Sequence, residues 1–233
     1  MDNLLEVRDI HTFIGQFHIL QGVTVEVPQG SITALLGRNG AGKTTTLKSI
    51  LGLTPPTRGE VIFDGKEIQG HRSYEIAGMG IGFVPEHRAI FRDLSVEENL
   101  RIAERRKGDL DRKEAFIFGL FPDLKRLIKL PGTHLSGGQQ QMLAVARALV
   151  PDNQVLLIDE PSEGLAPVII EQMMEAIHRL SAETTVVLVE QNFRFAADLA
   201  DRHYLVDRGQ IADMIPKEAL GENMEKINTY LGV

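Results

Sequence analysis

GRNGAGKT, residues Gly37 to Thr44, fits the pattern Gly-x4-Gly-Lys-Thr. Each residue type in it answers a demand of phosphate chemistry. Glycines let consecutive backbone N–H groups turn inward around an anion. A lysine neutralises the charge of terminal phosphates, and a threonine hydroxyl suits Mg²⁺. Taken alone, the stretch also reads as a glycine turn beside a surface lysine. Its flanks select the phosphate reading. ITALL (32–36) before it is an apolar run of strand length, and KTTTLKSILGL (43–53) after it is a helical pattern. The N-terminal dipole of such a helix favours an anion.

Working outward, VLLI (155–158) and VVLV (186–189) are further continuous apolar runs, each followed by a helical pattern. Strands buried on both faces and alternating with helices predict a parallel sheet. The N-terminal region differs. Leu5 and Val7 alternate with Glu6 and Arg8 over 4–10, and Val23, Val25 and Val27 share one face of 18–27. PPTRG (55–59) predicts a turn, and the Asp-Gly of FDGK (63–66) a tight hairpin, so these early strands read as antiparallel. The stretch 95–150 has no strand-like run. Ser95 and Glu98 form a capping box in SVEENL, helices are predicted over 111–120 and 136–150, and the rest of 107–134 shows no clear period. The expected fold is α/β: a P-loop NTPase core with a parallel central sheet, an N-terminal antiparallel β subdomain and an inserted helical subdomain. It is read as a single domain over 1–233, with 1–85 and 151–233 as nucleotide-binding core and about 86–150 as the helical part.

Composition narrows the partners. The net charge of −7 argues against a large nucleic-acid footprint, so no nucleic acid is expected. The absence of cysteine excludes disulfides and thiolate metal sites. MDNLLEVRDI carries acids and no long apolar stretch, unlike a signal peptide. No window approaches the roughly 20 apolar residues of a membrane span, so a membrane role would be peripheral and through a partner.

Polar residues then close the apolar runs. Asp159 and Glu160 end VLLI, where a carboxylate is costly unless solvated, paired or near a metal. Alone they read equally as loop caps. Beside a phosphate loop, Asp159 is placed for Mg²⁺ and Glu160 for orienting or deprotonating a water. TTVVLVEQN (184–192) likewise stops at Glu190, Gln191 and Asn192. LSGGQ (135–139) opens a helix with Ser136 as cap and with Gly137 and Gly138 exposing N–H groups, a second anion site or an ordinary cap. There is no Asn-Lys-x-Asp motif for guanine.

Taken together, GRNGAGKT, LSGGQ, VLLIDEP (155–161) and the strand ending at Glu190 resemble the ATPase subunit of an ABC transporter, over essentially the whole chain. VPEHRAIFRDLSVEENL (84–100), PSEGLAP (161–167), LVEQN (188–192) and the closing YLG (230–232) look like the second ATPase subunit of branched-chain amino acid importers. Urea-importer ATPases share much of this pattern. The resemblance implies an ATP-hydrolysing subunit that powers import of branched-chain amino acids. A urea or other small-solute importer is the alternative. A different class, an ATP-binding regulatory module with little turnover, is motivated by the departures below.

The resemblance also implies roles. Two ATPase subunits, identical or sister chains, pair head to tail with ATP and Mg²⁺ between them. The nucleotide meets Gly37, Arg38, Asn39, Gly40, Ala41, Gly42, Lys43, Thr44 and Thr45 of one subunit and Ser136, Gly137, Gly138 and Gln139 of the other. Thr44 and Asp159 hold the metal, and Glu160 is the catalytic carboxylate. Permease subunits dock near 86–100, and a solute-binding protein acts indirectly. The subunit sits peripherally on the cytoplasmic face of the cell membrane.

Four positions depart from the wider family. Gln191 stands where most relatives carry a histidine that contacts the γ-phosphate, and the narrower group shares this glutamine. Its amide can donate a hydrogen bond but cannot become cationic; capping the next helix is its other reading. Glu86 replaces a usual glutamine and is expected to bind Mg²⁺ through water or to pair with Arg88. Ala166 replaces a usual aspartate. Ile14 takes the adenine-covering position of an aromatic, with Phe17 or Phe13 as a stacking substitute or simply core.

Overall fold

The computed structural model describes residues 2–232. The first two strands, β1 (Asn3–Ile14) and β2 (Phe17–Pro28), form an antiparallel hairpin, and β3 (Ile32–Leu36) leads into helix α1 (Lys43–Ile50). Next come β4 (Arg58–Phe63), β5 (Lys66–Glu67), α2 (Ser73–Gly78) and β6 (Ile81–Val84). Four helices follow: α3 (Val96–Arg101), α4 (Asp109–Leu120), α5 (Pro122–Arg126) and α6 (Gly137–Leu149). The chain then alternates β7 (Val155–Asp159), α7 (Pro167–Leu180), β8 (Thr185–Glu190), α8 (Phe193–Leu199) and β9 (Arg202–Asp207), and ends in β10 (Gln210–Pro216) and α9 (Met224–Leu231).

Two sheets result. One has the order β2-β1-β4-β5 and is antiparallel throughout. The Asp64-Gly65 hairpin is as expected, with φ of 49° and 71° at its two central residues, the left-handed backbone of a two-residue turn. The other sheet has the order β10-β9-β3-β8-β7-β6; all neighbours are parallel except the β10 edge. Three of its strands were anticipated at 32–36, 155–158 and 186–189; β6, β9 and β10 were not.

The continuous apolar runs are explained by burial on both faces. Ile32, Ala34 and Leu36 of β3, with Leu156, Ile158, Val186 and Leu188, join a core made with the helices. Leu35, Val155, Leu157, Val187 and Val189 face the other way, onto α1 and the antiparallel sheet. The central sheet is thus sandwiched, and its five parallel strands deliver their last residues to one edge, where an open α/β sheet holds its ligands. The turn expected at PPTRG lies earlier, at 51–54, and Arg58 and Gly59 of that stretch already belong to β4.

Candidate functional site

Parallel register sets the site. Leu36 pairs with Glu190, and Asp159 pairs with Val189, so the loops after β3, β7 and β8 emerge side by side. After β3 the chain turns through Gly40 (φ 81°) and Gly42 (φ 110°) and enters α1 directly. Gly37 packs so closely on the strand beside it that an added Cβ would lie 2.3 Å from the Val206 carbonyl oxygen.

The Lys43 side chain is buried, and its ammonium donates to the carbonyls of Gly37 (2.8 Å) and Arg38 (3.2 Å). It also pairs with Glu160 Oε1 at 3.1 Å. Thr44 Oγ1 donates to Asp159 Oδ1 at 3.0 Å. A cleft of about 390 Å³ opens over these groups, lined by Ile14, Asn39, Gly40, Thr45, Glu86 and Glu163 among others. Asp159 is pushed up to about 6, first by burial and further by the charges of Glu160 and Glu86, against the Thr44 hydrogen bond and Lys43. Glu163 is raised by burial and then by hydrogen bonding with Glu86. Glu86, Glu160 and Glu163 line the cleft and Asp159 is bonded to Thr44 beneath it, but among the described residues no three acids stand together as a metal-binding cluster by themselves.

Glu160 adopts φ 45°, a left-handed conformation that few non-glycine residues take. Its N–H donates to Val189 O at 2.9 Å, which ties the β7 loop to β8. Glu190 is buried at the end of β8. Its carboxylate accepts the N–H of Ser162 (3.0 Å) and of Asn192 (3.2 Å), and burial outweighs these bonds and pushes it up to about 7.

The expected site residues fall into two groups. Ile14, Asn39, Gly40, Gly42, Lys43, Thr44, Thr45, Glu86 and Glu160 line the cleft, and Asp159 is bonded to Thr44 beneath it. Gly37 and Arg38 are outside the lining, and their carbonyls accept from Lys43. Ser136 and Gln139 form a reciprocal capping box at the start of α6, next to Gly137 and Gly138, away from the cleft lining. Gln191 is exposed and outside the lining; Asn192, whose Oδ1 accepts from the Phe195 N–H at 3.4 Å, caps α8, so the capping role is not that of Gln191.

Phe17 is 65% exposed at the hairpin tip and Phe13 stacks on His18 with centroids 4.2 Å apart, so neither is core and neither lines the cleft. Ile19 lines it beside Ile14. No ion pair joins Glu86 to Arg88 among the described residues. The Arg88 guanidinium lies over Gly137, with its Nη1 3.2 Å from where a Cβ there would stand, and it reaches Gln140 Oε1 at 3.5 Å. Ala166 stands at the N-cap of α7 and makes no side-chain cap bond. Glu163, Ile19 and Glu190 were missed by sequence reasoning. The acid in PSEGL was the available signal for Glu163.

A phosphate loop whose lysine meets a strand-end carboxylate, on a parallel sheet sandwiched between helices and an antiparallel sheet, defines an ATPase cassette. The ABC transporter family description matches residues 20–163. The chain is 40% identical to the high-affinity branched-chain amino acid transport ATP-binding protein BraG of Pseudomonas aeruginosa, over 98% of this chain and 100% of the relative. It is 38% identical to the probable branched-chain amino acid transport ATP-binding protein LivF of Archaeoglobus fulgidus, over 84% and 85% of the two chains. In fold it is similar to a nucleotide-free ATP-binding cassette from an ABC transporter, with a TM-score of 0.89 at 24% identity over 100% of this chain and 99% of that one. The chain belongs to the ABC transporter family, as one of its nucleotide-binding ATPase cassettes.

Proposed function

We propose that this chain is the ATP-hydrolysing subunit powering an importer of branched-chain amino acids. The observation that carries the ATPase reading is the convergence of Lys43, Thr44, Asp159 and Glu160 on one cleft. The solute rests on the similarity to BraG.

In this reading the phosphates of ATP lie in the loop from Gly37 to Thr45, and Ile14 covers adenine. Lys43 exchanges part of its Glu160 pairing for phosphate oxygens. Glu160, so released, orients and deprotonates the attacking water. Gln191 donates its exposed amide to the terminal phosphate. Ser136 to Gln139, which do not line their own cleft, serve the nucleotide of a second ATPase subunit, either another copy or a sister chain. Permease subunits dock near 86–100, a solute-binding protein supplies the solute, and the complex sits on the cytoplasmic face of the membrane.

The donor set suits Mg²⁺. Thr44 and Asp159 offer two hard oxygens 3.0 Å apart, and Mg²⁺ favours one or two carboxylates together with substrate phosphates and waters. In this reading Glu86, which lines the same cleft, meets the metal through water. When bound, Mg²⁺ supplies charge neutralisation at the phosphates. Because Asp159 holds its proton up to about pH 6 and metal ligands must be deprotonated, Mg²⁺ affinity is expected to fall as pH drops through 6. Mg²⁺ titrations of the ATP-bound protein at pH 5.5 and 7.5 check this, and equal affinities would contradict it.

The solute is tested with the chain assembled with its permease and binding protein in vesicles. ATP-driven uptake of labelled leucine is the expected result. Uptake of urea instead would reassign the solute. ATP turnover with uptake of neither would contradict the importer reading.

A further inference from the structure

We propose that Glu190 is a positioning residue for ATP hydrolysis, its carboxylate fastening the loop that carries Glu160 to the loop that carries Gln191. The inference rests on the reading of Glu160 as the catalytic carboxylate.

Glu190 is 2% exposed and has no ion-pair partner among the described residues. A buried carboxylate without a cation is costly, so an apolar residue at the end of β8 would serve stability better. What the carboxylate supplies is two acceptors on one rigid group. Oε1 takes the N–H of Ser162 at 3.0 Å, and Oε2 takes the N–H of Asn192 at 3.2 Å.

These two contacts bracket the residues that matter. Glu160 holds φ 45°; such conformations cost about 1–3 kcal/mol and persist only where surrounding contacts over-determine them. Here the contacts come from the last two residues of β8. Val189 O accepts the Glu160 N–H at 2.9 Å, and Glu190 accepts the N–H two residues further on. Gln191 is fixed in the same way, between β8 and an Asn192 that is held by Glu190 through its N–H while its side chain caps α8. The Glu190 carboxylate, together with the Val189 carbonyl, therefore sets the relative position of Glu160 and Gln191.

Glu190→Gln keeps the volume but offers only one acceptor oxygen, and its NH₂ must face one of the two N–H donors. One loop is then released. The test compares wild type, Glu190→Gln and Glu160→Gln for kcat and KM in Mg-ATP, for unfolding temperature, and for hydrogen exchange at the Ser162 and Asn192 amides. The expected result is a kcat at least tenfold lower in Glu190→Gln, with KM within twofold and no loss in unfolding temperature, and slow exchange of both amides in wild type. A Glu190→Gln kcat within twofold of wild type, beside an inactive Glu160→Gln, overturns this inference and leaves the reading of Glu160 standing. An active Glu160→Gln overturns both. Should Glu190→Gln not fold, the wild-type exchange decides, and amides as fast as those of exposed loops overturn the proposal.

Discussion

Glu160→Gln is expected to slow phosphate release by about 10²–10⁴-fold, the range a positioned general base contributes, while ATP still binds. The reason lies in what the substitution removes. Glutamine keeps the size of Glu160 at the cleft but cannot take a proton from water. It also frees Lys43 from the pairing at 3.1 Å, so the ammonium is more available to phosphate and ATP affinity is expected to hold or rise. Retained binding separates loss of chemistry from loss of fold. Steady-state phosphate release with a parallel nucleotide titration checks both halves, and unchanged turnover would remove Glu160 from the catalytic role.

Lys43→Ala is expected to weaken ATP binding by roughly 30- to 5,000-fold. That range corresponds to the about 2–5 kcal/mol lost when one partner of a buried, hydrogen-bonded charge pair is truncated. Two effects add. The phosphates lose their buried counter-charge, and Glu160 loses the cation that neutralises it, so a free carboxylate then faces an anionic ligand. The carbonyls of Gly37 and Arg38 also lose the donor that holds them inward. Calorimetric or fluorescent nucleotide titration reads the loss. Wild-type affinity in this variant would contradict the assignment of the phosphate loop.

Those groups were legible because phosphate chemistry leaves few alternatives in so short a stretch. Gly-x4-Gly-Lys-Thr carries its own geometry, and continuous runs such as ITALL and VVLV announce strands buried on both faces. The strands that went unread are those where tertiary contacts override the pattern. β6 is four residues with Gly82 inside it, and β9 opens on Arg202 and His203. His203 is fully buried because its ring nitrogens face the carbonyls of Ala196 (3.2 Å) and Ile215 (3.3 Å), contacts that no local pattern reveals. In the same way, α4 begins at Asp109, two residues before the apolar period suggests, after the left-handed Gly108.

Within the site the limit is of the same kind. Sequence offered Phe17 as a partner for adenine because aromatics stack well. The hairpin register pairs Phe17 with Ile14 and leaves the phenylalanine at the tip, while Ile19 reaches the cleft. Glu190 read as one of three polar residues ending a strand. Only the parallel pairing of β7 with β8 brings its carboxylate to the Ser162 amide, 28 residues away in the chain. The Ser136 N-cap was visible in LSGGQ, whereas its reciprocal bonding with Gln139 and its place outside the phosphate-loop cleft come from the fold.

In the proposed function this chain hydrolyses ATP as one of a pair of subunits. Phosphate release from the purified chain in Mg-ATP, followed as protein concentration is raised and then with the sister and permease subunits added, tests it most directly. The expected result is release that depends on Mg²⁺ and whose rate per subunit climbs with concentration or with the added subunits. ATP bound with no release above the Glu160→Gln background, at any concentration and with every partner present, would contradict it and leave a nucleotide-binding regulatory module in its place.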